Sequence, residues 1–205
     1  MGLYDKYLLP RLLDLAMRKA ELGALRAEWV PQARGEVLEV GVGSGLNLIH
    51  YTKDVVRVLG VDPSQELQRM ARERAAKARV PVEFVTQSAE APLPLAPNSV
   101  DTVVFTWTLC SIPDPVAALT QMRRVVKPSG RLIFIEHGLA VDPKVVRWQN
   151  RLNPLWKIIG GGCNLNRDVN ALVEGAGFKI RSLQTSHIPG PRPMTYMYRG
   201  YAEPA

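Results

Sequence analysis

The chain has 205 residues, 46% of them hydrophobic and 22% charged, and its 26 Lys and Arg against 19 Asp and Glu give a formal charge of +7. That size and balance fit one globular domain with a sizeable core, and no run of about 18 apolar residues offers a membrane-spanning helix. Cys110 and Cys163 lie far apart with neither CxxC nor His/Cys metal spacing, so the sequence predicts no disulfide framework and no metal site, and suits a reducing cytoplasm.

The first twenty residues, MGLYDKYLLPRLLDLAMRKA, are interrupted by charges and lack the long apolar core of a signal peptide. Residues 3–28 read as an amphipathic helical region, with Leu8, Leu12, Leu15 and Ala16 near one face and Pro10 as a boundary or kink. An alternation follows. Val37–Val40 is strand-like, Leu46–Tyr51 helical, and Val55–Val61 a β-branched strand. Gln65–Ala78 is strongly helix-forming and Val82–Thr86 is a third strand. APLPLAP is a loop and Val100–Thr106 a fourth strand. Pro115–Val126 is a helix, capped by Asp114 with Pro115 at its first position. Lys127–Gly130 is a turn and Arg131–Glu136 a fifth strand. Residues 138–166 read as an irregular insert rich in Trp, Asn and Gly. Asp168–Ala176 is helical, and Lys179–Gln184 and Thr195–Ala202 are two strands around SHIPGPRP. Strands separated by helices give a doubly wound α/β fold with a mostly parallel sheet, and the last strand pair adds an antiparallel strand.

The stretch EVLEVGVGSG puts glycines at 41, 43 and 45, just after the first strand. Glycines there let the chain turn tightly and bring backbone N–H groups against a ligand. The spacing is GxGxG, and Leu46 stands where a dinucleotide fingerprint has its third glycine. Asp62 ends the second strand, 21 positions after Gly41, where a carboxylate can accept hydrogen bonds from both ribose hydroxyls. The pair points to an adenosine-type ligand. The plain alternative is a tight turn and a helix-capping Asp.

EVLEVGVGSG, VLGVDPS, VTQSAEAPLPLAPNSVDTVVFTWTLCSIPDPVAALTQMRRVVKPSG and RLIFIEHG, in that order over about residues 35–138, resemble class I S-adenosylmethionine-dependent methyltransferases. WQNRLNPLWKIIGGGCNLNRD and GAGF are similar to a narrower branch, the type 11 and alkyl-thiol S-methyltransferases. The resemblance implies a single Rossmann-like domain over 1–205, its seven-stranded sheet mostly parallel with one antiparallel strand. Residues 1–30 would form a helical lid and 138–166 a substrate-side insert. It also implies S-adenosylmethionine as cofactor. Glu39, Gly41, Gly43 and Gly45 would surround its amino acid part. Asp62 would hold the ribose, with Pro63 and Ser64 near the adenine. Ser88, Ala89 and Glu90 would border the ring, Ser88 standing where many members carry Asp. Thr106, Trp107 and Leu109 would line the methionine arm.

Methyl transfer of this kind needs alignment, exclusion of water and, for a protonated acceptor, a base. His137 follows the fifth strand in IEHG, at the sheet edge where ligands bind, and as a neutral imidazole it can accept a proton. The alternative is a histidine satisfied by a carbonyl. Asn164 and Arg167, in GGCNLNRD, are candidate substrate contacts, while Cys163 and Cys110 read as packing or pocket thiols. Trp148 either walls an apolar substrate pocket or belongs to a satellite core. Tyr4 and Tyr7 either cover the site or pack as ordinary helix residues.

The expected reaction is therefore S-adenosylmethionine-dependent methylation of a small apolar acceptor, favoured as a thiol by the resemblance. A quinone-type or lipid acceptor is the alternative, and a non-catalytic cofactor-binding module is the rival of another class. Basic residues are not clustered into a stripe with interleaved aromatics, which speaks against nucleic acid. The basic balance and the amphipathic start suit peripheral membrane contact by a cytoplasmic protein. Oligomeric state is not legible.

Overall fold

The computed structural model describes residues 7–205. Thirteen regular elements run in chain order. They are α1 Leu9–Met17, α2 Ala20–Trp29, β1 Gly35–Val40, β2 Val55–Val61, α3 Gln65–Ala75, β3 Val82–Val85 and β4 Val100–Thr106. Then come α4 Pro115–Val125, β5 Val126–His137, α5 Pro143–Ile159, α6 Val169–Gly175, β6 Phe178–His187 and β7 Tyr196–Pro204. The strands form one sheet in the order β3-β2-β1-β4-β5-β7-β6. β1 to β5 pair in parallel, and β7 runs antiparallel to both β5 and β6. The predicted fold class is this one.

Helices cover both faces, so the inner strands are apolar on both sides. Val103, Phe105, Leu132 and Phe134 point to one face and pack with Leu119, Met122 and Val125 of α4. Phe105 and Phe134 stack with ring centroids 5.9 Å apart. Val37, Val104, Ile133 and Ile135 point to the other, against Leu25 and Trp29 of α2.

The strand order reverses between β1 and β4. The crevice outside their C-terminal ends is the place where such sheets bind ligands. The loops after β1, β2, β4 and β5 all open there.

Several predicted elements differ. Leu46–Tyr51 is no helix but a single 3₁₀ turn, Leu48–His50. Asn47 and Tyr51 are pulled back onto Glu39 in the core, and six residues are too few to sustain a helix against that pull. The glycine loop therefore has no long helix behind it. Residues 138–166 are not irregular throughout, because α5 takes up Pro143–Ile159 and leaves only the flanks 138–142 and 160–166 without regular structure. Asp142 caps α5 by accepting from the Lys144 N–H (2.9 Å), Pro143 sits in its first turn, and it continues through Pro154. Lys127–Gly130 lies inside β5, although the pairing jumps from Val100↔Val126 to Thr102↔Arg131, so these residues leave the ladder there.

The N-terminal region breaks at Arg18–Lys19 into two helices, with Pro10 in the first turn of α1. The expected apolar face of α1 is not buried. Leu8, Leu12 and Leu15 are exposed, and Leu9 and Asp14 turn inward instead. Asp14 pairs with Arg74 of α3 (2.8 Å) and with Arg18, which links this inward face of α1 to α3. Arg74 also donates to the Ser44 carbonyl, which ties α1 through α3 to the glycine loop.

Candidate active site

The glycine loop leaves β1 with Gly41 and Val42 both donating to the Val61 carbonyl (2.8 and 3.2 Å). Gly41 has φ +69, and a Cβ there would lie 2.2 Å from Thr108 Oγ1. Only glycine lets the loop after β1 and the loop after β4 approach this closely. Gly43 has φ +53, and a Cβ on it would meet only the Gly41 carbonyl at 3.8 Å. Its open side faces no side chain, as a ligand cradle requires. Gly45 packs towards Ala71 of α3.

Asp62 closes the cradle. Its Oδ2 accepts from the Gly43 N–H (3.0 Å) and its Oδ1 from the Ser64 N–H (2.8 Å). Burial pushes its carboxyl up from the usual value, against these two backbone donors. Ser64 caps α3 by accepting from the Leu67 N–H (3.3 Å), and Pro63 lies between Asp62 and that cap. Ser88 donates to Glu90 Oε2 (2.6 Å), Glu90 Oε1 accepts from the Asp114 N–H (2.6 Å), and Ala89 is buried between them. These contacts fix the loop after β3 beside the one after β4.

Glu39 is fully buried on β1. Its two oxygens accept from Asn47 Nδ2 (2.9 Å) and from the Tyr51 hydroxyl (2.8 Å). Burial raises its carboxyl to about 7, opposed by those donors and by the charge of Arg26. Asn47 Nδ2 also donates to Thr106 Oγ1 (3.0 Å), joining β1, the glycine loop and β4. Asn47 Oδ1 is buried with no hydrogen-bond partner among the described residues. A buried acceptor left open beside the cradle suits a cationic N–H donor such as an amino acid ammonium. Trp107, just past β4, holds a left-handed backbone (φ +49), and the Arg26 guanidinium lies 4.7 Å from its ring centroid. That conformation is uncommon for a bulky residue and lies here at the sheet's ligand edge. Leu109 lies in the core, and its carbonyl accepts from Arg167.

Two buried titratable groups, Glu136 and His137, end β5 itself, so His137 lies in the strand and not after it. Glu136 is buried and accepts from the Thr108 N–H (2.8 Å), the Cys110 N–H (3.3 Å) and the His137 N–H (3.1 Å). Burial lifts its carboxyl to about 7. His137 is 8% exposed, with Nε2 3.0 Å from Cys163 Sγ and Nδ1 buried without a partner among the described residues. Trp156 Nε1 donates to the same sulfur (3.3 Å). Burial pushes the His137 imidazole down, but Cys163 and Glu136 together carry it above its ordinary value. Cys110 completes the group: Cys110, His137 and Cys163 place three ligand-type atoms within 4.8 Å of one another. Cys110 and Cys163 lie on different loops and His137 at the end of β5, which linear spacing does not reveal.

Asn164 donates its side-chain amide to the Cys110 and Gly162 carbonyls (both 2.9 Å). Arg167 donates to the Leu109 carbonyl and to the Ile112 carbonyl (2.7 Å). Both thus brace the loop after β4. Trp148 stands on the outer side of α5, 54% exposed, with Arg151 6.0 Å from its ring centroid. Tyr7 is half exposed, and Tyr4 lies outside the described residues. Sequence reasoning missed Asn47, Tyr51 and Arg26; the spacing of Asn47 and Tyr51, four apart, was the signal for those two.

A sequence family described as "Methyltransferase domain" matches residues 38–134, the span that carries the cradle, Asp62 and the first part of β5. Human thiol S-methyltransferase TMT1A is 33% identical over 195 residues, covering 90% of this chain and 79% of that protein. This chain belongs to the S-adenosylmethionine-dependent methyltransferase family. A ubiquinone biosynthesis O-methyltransferase of Ralstonia nicotianae is 30% identical over 118 residues, covering 56% of this chain and 50% of that protein. The fold matches that of a SAM-dependent methyltransferase from Aquifex aeolicus with TM-score 0.67 at 20% identity, covering 96% of this chain and 98% of that one. The methyltransferase is thus an enzyme that uses S-adenosylmethionine, and the buried carboxylate, open glycine and orphaned Asn47 acceptor fit that cofactor's hydroxyls and ammonium.

Proposed function

We propose that this methyltransferase transfers the methyl group to a small, apolar thiol. S-adenosylmethionine supplies a methyl carried on a positively charged sulfur. Asp62 would accept the ribose hydroxyls, with Pro63, Ser64, Ser88, Ala89 and Glu90 at the adenine end. Gly41, Gly43 and Gly45 with Glu39, Asn47 and Thr106 would enclose the amino acid end, and the turn at Trp107 and Leu109 would border the reacting centre. His137 would take the acceptor's proton in its neutral form. A thiol, with an ordinary pKa of about 8.5, needs only such a modest base.

The observation that carries the thiol reading is the similarity to thiol S-methyltransferases across nine-tenths of the chain. It is supported by a buried imidazole at the sheet's ligand edge. The quinone reading rests on a relative that covers 56% of the chain. No helix among the described residues is long and apolar enough to cross a membrane. The exposed Leu8, Leu12 and Leu15 of the N-terminal helix and Ile158 and Ile159 of α5 favour peripheral contact with an apolar surface, from which such an acceptor would partition. In this reading α1 and α2 act as a lid, α5 as the substrate-side element, and Trp148, Asn164, Arg167, Tyr4 and Tyr7 as its candidate contacts.

Formation of S-adenosylhomocysteine should depend on an added alkyl thiol and exceed that seen with a quinol or with phosphatidylethanolamine vesicles. A rate that follows the quinol or the vesicles instead moves the acceptor to that class. No turnover with any of them, alongside cofactor binding, favours a binding module.

A further inference from the structure

The two cysteines form an asymmetric pair that methyl transfer does not use. Their backbones are held side by side, because the Asn164 N–H and its side-chain amide both donate to the Cys110 carbonyl (2.9 Å each). The sulfurs lie within 4.8 Å of each other. Cys110 is buried, whereas Cys163 is partly exposed and follows three glycines, two of them with left-handed backbones. The sulfur of Cys163 faces His137 Nε2 at 3.0 Å and receives the Trp156 N–H at 3.3 Å. A thiolate is favoured where N–H donors converge on the sulfur, and it is the form that reacts. The Cys110 thiol, then His137 and Trp156, pull the Cys163 thiol down against its burial, while Cys110 is pushed up.

A bound zinc explains the cluster less well. Nitrogen and sulfur on a tetrahedral zinc stand roughly 3.5 Å apart, more than the 3.0 Å found here. His137 Nδ1 also lacks the carbonyl or carboxylate that orients a metal-bound imidazole.

We propose that Cys163 is an oxidation site resolved by Cys110, and that a hydroperoxide converts the two thiols into an intramolecular disulfide. The Cys163 sulfur attacks the O–O bond, which breaks; an S–O bond forms, and the departing oxygen takes a proton and leaves as an alcohol or water. The resulting sulfenic acid is then attacked by Cys110. The S–S bond forms, the S–O bond breaks, and hydroxide leaves with the Cys110 proton as water. Two electrons pass from the thiols to the peroxide. Closing the bond draws the Cys163 sulfur away from His137, so the site loses the partner of its imidazole.

The test is hydrogen peroxide treatment of the full chain, read by thiol titration and intact mass. Both thiols should disappear together, the mass should fall by two hydrogens, and a phosphine reductant should reverse the change. In Cys110→Ser, oxidation should stop at a sulfenic acid on Cys163, trapped by a dimedone-type reagent. In Cys163→Ser, Cys110 should react about tenfold more slowly. If either variant fails to fold, timed alkylation and peptide mapping of the unaltered protein give the same order of reaction. Two thiols that survive the treatment, a sulfenic acid on Cys110 in place of Cys163, or a stoichiometric zinc that blocks both would overturn the proposal. None of these readouts requires a methyl acceptor, so this proposal and the thiol reading fail separately.

Discussion

At the scale of single residues, Asp62 joins two tasks. It holds the Gly43 N–H, and in the proposed reading it also accepts the ribose hydroxyls. Asp62→Ala removes a charged acceptor worth about 1.5–3 kcal/mol. Cofactor affinity should fall roughly ten- to a hundredfold in titration calorimetry, and an unchanged affinity would remove Asp62 from the ribose site. His137 makes the second case. Its pKa lies above the ordinary 6.5, so the neutral, proton-accepting form appears as pH rises through that raised value. The ratio kcat/KM for a thiol should therefore climb from acid into neutral pH. His137→Gln should lose the most near neutrality, and the deficit should close above about pH 8.5, where the acceptor ionises unaided. A pH-independent deficit means that His137 only positions its neighbours.

The elements carry the second lesson. The strands were legible: Val55–Val61 and Val100–Thr106 stand as predicted, because buried β-branched runs between turn signals have one economical solution. The cap at Asp114 was legible too, since an Asp before a helical run satisfies free N–H groups locally. The helix α5 was hidden, although Asp142-Pro143 repeats the Asp114-Pro115 signal. Pro154 and scattered Asn residues masked its period, and what fixes it is tertiary. The buried Gln149 donates to the Gly138 and Leu165 carbonyls (2.8 and 2.9 Å) and accepts from the Ala140 N–H (2.9 Å). Glycines test the same scale. Gly41→Ala places a Cβ onto Thr108 with φ +69 and should cost about 1–3 kcal/mol in denaturant unfolding. Gly23→Ala, in α2 with open space around it, should stabilise by about 0.5–1 kcal/mol. Equal effects of the two would contradict the close approach of the two loops.

Across the whole molecule, the parallel sheet brings distant loops to one edge, and most of the site exists only there. The glycine loop and Asp62 could be found from spacing. The convergence of Cys110, His137 and Cys163, and the Glu39–Asn47–Thr106 bridge, needed the strand order. The same burial sets the response of stability to pH. Glu39 and Glu136 are both raised to about 7 by burial, so the fold binds protons there that the unfolded chain releases above about 4.5. This contribution favours the fold at low pH and is lost as pH rises from about 4.5 to 7. Glu39→Gln should gain stability at pH 8 relative to pH 5, by up to a few kcal/mol in urea unfolding. An equal change at both values would mean that Glu39 stays ionised in the fold. The most direct measurement of the central claim is the fate of an isotopically labelled methyl offered to an alkyl thiol and its matched alcohol together. The account predicts label in the thioether and none in the ether. Label in the ether, or in neither while a quinol is methylated, would contradict it.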